Sequence, residues 1–167
     1  MTCRLILIRH AKSSWDDFDS DDHARVLNDR GRASATAIGA WLAKNGYIPE
    51  LVLCSDAART TETLSLIRPA FPAPPKVKFR SGFYHASPDH MLDVLQRQIA
   101  GTVAIVAHNP GIGALACGLA ATRPNDTDFA RYPTAATTVL DFDVDNWAQV
   151  RAGQGTMVDF ATPRSLI

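Results

Sequence analysis

The sequence has little that would suit a secreted, membrane-spanning or polyanion-coating protein. Its three cysteines, Cys3, Cys54 and Cys117, are odd in number, widely spaced and form no CxxC pair. That argues against a disulfide framework or a cysteine metal knuckle, and a reducing, cytoplasmic home is expected. No run approaches the roughly 18 apolar residues that a membrane span needs. The first apolar stretch, residues 5–8, is too short for a signal-peptide core and runs directly into Arg9 and His10. Seventeen Lys and Arg balance seventeen Asp and Glu, so no bulk field draws nucleic acid or a membrane surface. Recognition of an anion must then rest on a few cations placed locally. The patterns GxxxxGKS/T, GxGxxG, HExxH and GxSxG are all missing. A P-loop, a dinucleotide fingerprint, a zincin site and a serine-hydrolase elbow are therefore unsupported.

What is there fits one domain spanning residues 1–167, long enough to bury a substantial core. Residues 5–8, 51–54 and 103–107 are short, nearly continuous apolar blocks, as expected of parallel strands covered on both faces. Helical spacing follows over residues 32–44, which stop at Asn45-Gly46, and over 56–67 and 88–99. Val77 and Phe79 suggest a further short strand. Residues 138–142 alternate more clearly and read as a strand near an edge, with an antiparallel sense open to it. The alternation predicts an α/β fold with a mostly parallel sheet. Residues 68–75 are a proline-rich connecting loop, and the five Asp of residues 16–22 read as a solvated acidic loop.

The chemistry collects where the apolar strands end. The first runs into Arg9-His10-Ala11-Lys12-Ser13, the second into Ser55-Asp56-Ala57-Ala58-Arg59-Thr60, the third into His108-Asn109-Pro110-Gly111. Ligands of open parallel sheets bind outside the carboxyl ends of the strands. Two arginines and two histidines at one sheet edge, with no acidic cluster among them, describe a pocket for a small oxyanion. Arginine presents a fork of donors matched to phosphate oxygens. Singly, each feature has a plainer reading: a structural histidine, a surface arginine, a Gly-relieved turn at residues 108–111. Trp15, Trp41 and Trp147 read as packing residues. His85 and His90 lack metal-ligand spacing.

Arg9-His10-Ala11 after the first strand, Arg59-Thr60 opening a helix after the second, and His108 after a later one together resemble the histidine phosphatase superfamily. The short chain and the segment Arg25-Val26-Leu27-Asn28-Asp29-Arg30-Gly31 resemble its SixA-type phosphohistidine phosphatase branch. The resemblance covers roughly residues 4–142. It implies a three-layer α/β/α fold of the phosphoglycerate-mutase kind. It further implies a nucleophilic His10 and phosphoryl contacts from Arg9, Arg59 and His108, with Ser13 and Arg25 as additional phosphate-binding candidates. No cofactor or metal is expected, because phosphoryl transfer asks the protein mainly for alignment and donors. The partner implied is a phosphohistidine-bearing protein, with a small phosphorylated substrate, a mutase-like transferase or a non-catalytic phosphate-binding module as the alternatives. Two departures stand out. The usual Arg-His-Gly reads Arg-His-Ala, as Ala11. The stretch from Ser81 to Ser87, where many relatives place an acidic proton donor, holds no carboxylate before Asp89, leaving His85 and Asp89 as candidates.

Overall fold

Each apolar run becomes a strand whose successive side chains enter two different cores. A computed structural model describes residues 1–15 and 21–167; most of the acidic loop expected over 16–22 lies outside them. In β1 (Cys3–Arg9), Leu5 and Leu7 join one core while Ile6 and Ile8 join the other. β2 (Leu51–Ser55) divides in the same way, with Leu53 opposed to Val52 and Cys54. In β4 (Thr102–Ala107), Val103 and Ile105 oppose Ala104 and Val106. A period of two with both faces covered is why these strands read as continuous apolar blocks rather than alternating ones.

Helices α1 (Asp29–Lys44) and α2 (Ala58–Ile67) cover one face with Ile38, Leu42, Leu64 and Ile67. Helices α3 (Pro88–Leu95) and α4 (Gly111–Leu119) cover the other with Met91, Leu95, Ile112 and Leu115. The result is the three-layer α/β/α architecture. The six strands run in the order β3-β2-β4-β1-β5-β6, with β3 spanning Lys76–Arg80, β5 Thr137–Phe142 and β6 Thr156–Ala161. β1, β2, β3 and β4 are mutually parallel, whereas β5 pairs antiparallel with β1 and β6 antiparallel with β5. Two short helices, α5 (Thr127–Arg131) and α6 (Pro163–Leu166), complete the chain.

Several expectations are adjusted. α1 begins three residues earlier than its apolar spacing indicates, because Asn28 caps it by accepting from the Gly31 N–H at 2.8 Å. α2 begins at Ala58 rather than at residue 56, and α3 ends at Leu95 rather than at residue 99. The strand at residues 138–142 is antiparallel but second from the edge, since β6 lies outside it. α4 begins at Gly111, the last residue of the turn expected over 108–111, and runs to Leu119 through residues that carried no helical expectation. Among the described residues no helix is long and apolar enough to cross a membrane.

Candidate functional site

Because β1, β2 and β4 are parallel neighbours, their carboxyl ends open on one edge of the sheet. Arg9, His10, Ser13, Arg25, Arg59 and His108 all line a single cavity of about 520 Å³ there. Every phosphate-pocket residue expected from the sequence therefore meets in one place.

His10 is held from both sides. Its N–H donates to Ala107 O at the end of β4 (3.1 Å), and its carbonyl accepts from Ala135 N–H (2.9 Å). Its Nδ1 lies 2.8 Å from Ala11 O. A carbonyl only accepts, so Nδ1 carries the proton and Nε2 keeps its lone pair. Burial, with Arg9, Arg59 and Arg25 nearby, lowers the imidazole pKa to about 4, against the opposing pull of the Ala11 carbonyl. The ring is neutral at physiological pH. Ala11 is fully buried and its N–H donates to Thr63 Oγ1 at 3.0 Å. Its backbone is not in the left-handed region, so the position does not call for glycine.

His108 Nε2 lies 2.8 Å from Ser55 Oγ at the end of β2. Burial, followed by His10, Arg59 and His85, lowers its pKa to about 3. The ring centroids of His10 and His108 are 5.2 Å apart. Among the described residues the buried side-chain nitrogens without a partner are Arg9 Nε, Arg25 Nε, Arg59 Nε and His108 Nδ1. Buried donors are normally satisfied. All four belong to residues that line the same cavity, so unsatisfied polar groups concentrate around it.

The arginines are fixed by oxygens. Arg9 Nη1 donates to Tyr132 O at 3.1 Å, and Asn109 Nδ2 to the same carbonyl at 2.9 Å. Tyr132 is non-glycine yet left-handed (φ 49°), and its hydroxyl donates to Leu7 O at 3.0 Å. Such backbone persists where surrounding contacts over-determine it, commonly at functional sites. Arg59 Nη1 donates to Asp22 O at 2.8 Å and Nη2 lies 3.3 Å from Asp22 Oδ2. Arg25 donates to Ser13 Oγ and, at 3.2 Å, to Asp22 Oδ1, and stacks over the Trp15 ring with 3.7 Å to its centroid.

Asp22 is thus no idle member of a solvated acidic loop. Its carboxylate bridges Arg59 and Arg25 and accepts from Tyr84 OH, which together hold its pKa down to about 2. Trp15 is 66% exposed and lines the cavity rather than packing in a core, whereas Trp147 is fully buried. Asp22, Ser55, Tyr132 and Tyr84 were not singled out from the sequence. Only Ser55, at the end of a buried strand, carried a positional signal. Of the two proton-donor candidates, His85 stacks on Tyr84 and lines an adjoining cavity of about 340 Å³ that also touches His108. Asp89 sits exposed in the first turn of α3 and lines neither cavity. No group of three or more His, Cys, Asp or Glu among the described residues is arranged to hold a metal ion.

Comparison with known proteins agrees with this geometry. The profile of the histidine phosphatase superfamily (branch 1) matches residues 5–80. An uncharacterized protein of Mycobacterium tuberculosis is 33% identical over 164 residues, covering 94% of this chain and 100% of its own. A candidate phosphohistidine phosphatase SixA from Nakamurella multipartitia superposes with a TM-score of 0.80 at 29% identity, over 98% of this chain and 97% of its own. Its counterpart from Agrobacterium tumefaciens gives 0.79 at 27%, over 96% and 98%. The chain belongs to the histidine phosphatase superfamily, branch 1, and is a SixA-type phosphatase.

Proposed function

We propose that this phosphatase hydrolyses phosphohistidine on a protein, by way of a phosphoryl group carried transiently on His10. The observation that carries the reading is the His10 tautomer: Nδ1–H bonded to Ala11 O leaves the Nε2 lone pair unshared in a cavity of cations. In the first step Nε2 attacks phosphorus, and the bond from phosphorus to the substrate imidazole nitrogen breaks with its electron pair going to that ring. In the second, a water oxygen attacks the phosphoryl group and His10 leaves, giving inorganic phosphate and regenerated imidazole. Splitting the hydrolysis this way replaces one hard displacement by two easier ones.

Arg9, Arg59, Arg25, Ser13 and His108 would address the phosphoryl oxygens. Their guanidinium, hydroxyl and imidazole groups would supply donors fixed in advance, which is how such sites stabilise developing charge. Ser55 donating to His108 Nε2 would leave Nδ1–H as the donor. With this set in place the reaction needs no metal ion. Rapid quench with labelled phosphohistidine protein should trap an acid-labile, base-stable adduct on the peptide containing His10, undiminished by excess EDTA. An adduct on a serine, or an active His10→Ala protein, would refute the mechanism. Faster turnover of small phosphomonoesters than of any phosphohistidine protein would shift the substrate to a small molecule.

A further inference from the structure

The phosphoryl cavity does not end at its catalytic wall. A second cavity, of about 330 Å³, shares Lys12, Arg131, Pro133 and Thr134 with it and adds Arg30 and Arg164. Among the described residues the two are together lined by seven Lys and Arg, against one acid, Asp128. In a protein of zero net charge that is a strong local concentration. Lys12, Arg30, Arg131 and Arg164 are exposed, and among the described residues none of them makes an ion pair.

We infer that this groove receives an acidic segment of the phosphorylated protein substrate, beside the phosphohistidine seated on His10. The inference rests on the proposed function and adds the kind of protein that is recognised. The four cations come from four places in the fold: the loop after β1, the first turn of α1, the end of α5, and α6. The unpartnered buried nitrogens all belong to the phosphoryl cavity and none to the groove. A second phosphate would call for converging, preorganised donors. Exposed cations carried on separate elements, without ion pairs among the described residues, instead match carboxylates spaced along a chain. Charge complementarity of this kind raises encounter rates and is screened by salt.

The test uses synthetic peptides phosphorylated on a single histidine by phosphoramidate, flanked either by several Glu or by Ser and Ala. At low salt kcat/KM should favour the Glu-flanked peptide by roughly tenfold, and the preference should collapse near 0.5 M salt. The variant Arg30→Glu/Arg164→Glu changes only groove residues. It should erase that preference, through KM, and leave the neutral peptide and p-nitrophenyl phosphate within about twofold of wild type. Binding of the unphosphorylated Glu-rich peptide, followed by fluorescence anisotropy, reads the groove without turnover and should weaken by a similar factor in the variant. Equal kcat/KM for the two peptides, or acidic-peptide binding indifferent to the double variant, overturns the groove assignment. Tighter binding of a single-stranded oligonucleotide than of the acidic peptide overturns the partner class. Failure to hydrolyse any phosphohistidine peptide, with anisotropy still sensitive to Arg30 and Arg164, overturns instead the phosphohistidine reading, and with it the substrate role of the acidic segment.

Discussion

The imidazoles of His10 and His108 face each other at 5.2 Å between centroids, tilted by 53°, and both are buried. Two histidines so close, ringed by Arg9, Arg25 and Arg59, cannot both gain protons cheaply. Burial first, then the neighbouring charges, lowers one pKa to about 4 and the other to about 3. The pair is therefore neutral at the pH where a nucleophile is needed.

This sets a pH dependence with a definite sign. In the unfolded chain both rings bind protons near pH 6.5; in the folded protein they do so only near 4 and 3. Between those values the unfolded state holds more protons, so stability falls as pH drops from about 6.5 toward 3 and the loss levels off below. Asp22 acts in a lower window: its depressed pKa adds stability above about 3.8 that is lost as pH falls through about 2. Histidine NMR across pH 5.5–8 should show no titration of His10 or His108. A midpoint near 6.5 for either ring would contradict the buried-neutral arrangement.

Arg59 should dominate charge stabilisation, since it is buried and keeps an unpartnered Nε. Arg59→Ala should lower kcat by roughly 10²-fold or more, by analogy with the loss of one preorganised donor. Arg59→Lys should recover only part, because an ammonium lacks the planar fork. Near wild-type turnover in the alanine variant would exclude Arg59 from the phosphoryl site.

Asp22 competes for the same arginine. Its Oδ2 lies 3.3 Å from Arg59 Nη2 and its Oδ1 3.2 Å from Arg25 Nη2, so a bound anion shares its cations with a carboxylate. Removing one unit charge about 4 Å away is worth on the order of 1 kcal/mol even in water-like surroundings. Asp22→Asn should therefore tighten inhibition by inorganic phosphate by about fivefold. Weaker inhibition would mean that Asp22 chiefly holds Arg59 in position.

Much of this arrangement was legible because its signals are local. Strands buried on both faces leave continuous apolar blocks, and the residues that follow them carry the chemistry: Arg9-His10, Ser55 to Arg59, His108. Asp22 was hidden among four similar aspartates, and only the tertiary approach of Arg59 and Tyr84 distinguishes it. β6 was missed because it is a partly exposed edge strand of mixed polarity, Thr156–Ala161. α4 was hidden by its glycines, which look like turn residues. At Gly111 a Cβ would lie 2.1 Å from Ala86 O, so the glycine there serves close packing between segments remote in sequence.

The same reasoning makes Gly31 a sensitive position. A Cβ there would lie 2.0 Å from Lys12 O and 2.9 Å from Lys12 C, which are backbone atoms just beyond His10. Alanine favours helix by at most about 1 kcal/mol, whereas overpacking typically costs about 1–3 kcal/mol, so the clash wins. Gly31→Ala should lower Tm by roughly 2–4 °C per kcal/mol lost and reduce kcat as the His10–Lys12 backbone shifts. Gly118→Ala in α4 is the contrast: nothing lies within 4 Å of its Cβ, and Tm should hold or rise. Equal behaviour of the two variants would refute the packing argument.

The last prediction follows from the state of the acids around the site. Asp89 lines neither cavity, and Asp22, at a pKa of about 2, is a carboxylate at neutral pH with no proton to give. The leaving atom must then depart largely by its own ability to take the electron pair. General acid catalysis is worth typically 10²–10⁴-fold, and an alkoxide leaving without it forfeits that factor. The imidazole of phosphohistidine leaves far more readily, above all once its second nitrogen is protonated. Across a series of aryl phosphates, turnover should rise steeply as the leaving-group pKa falls, with alkyl phosphates poor substrates. Phosphoramidates should outpace alkyl esters even at matched KM. A flat dependence, with alkyl esters cleaved as fast as nitrophenyl ones, would reveal a working acid after all. His85→Ala and Asp89→Asn would then identify it, because the variant that restores the steep slope has lost the proton donor.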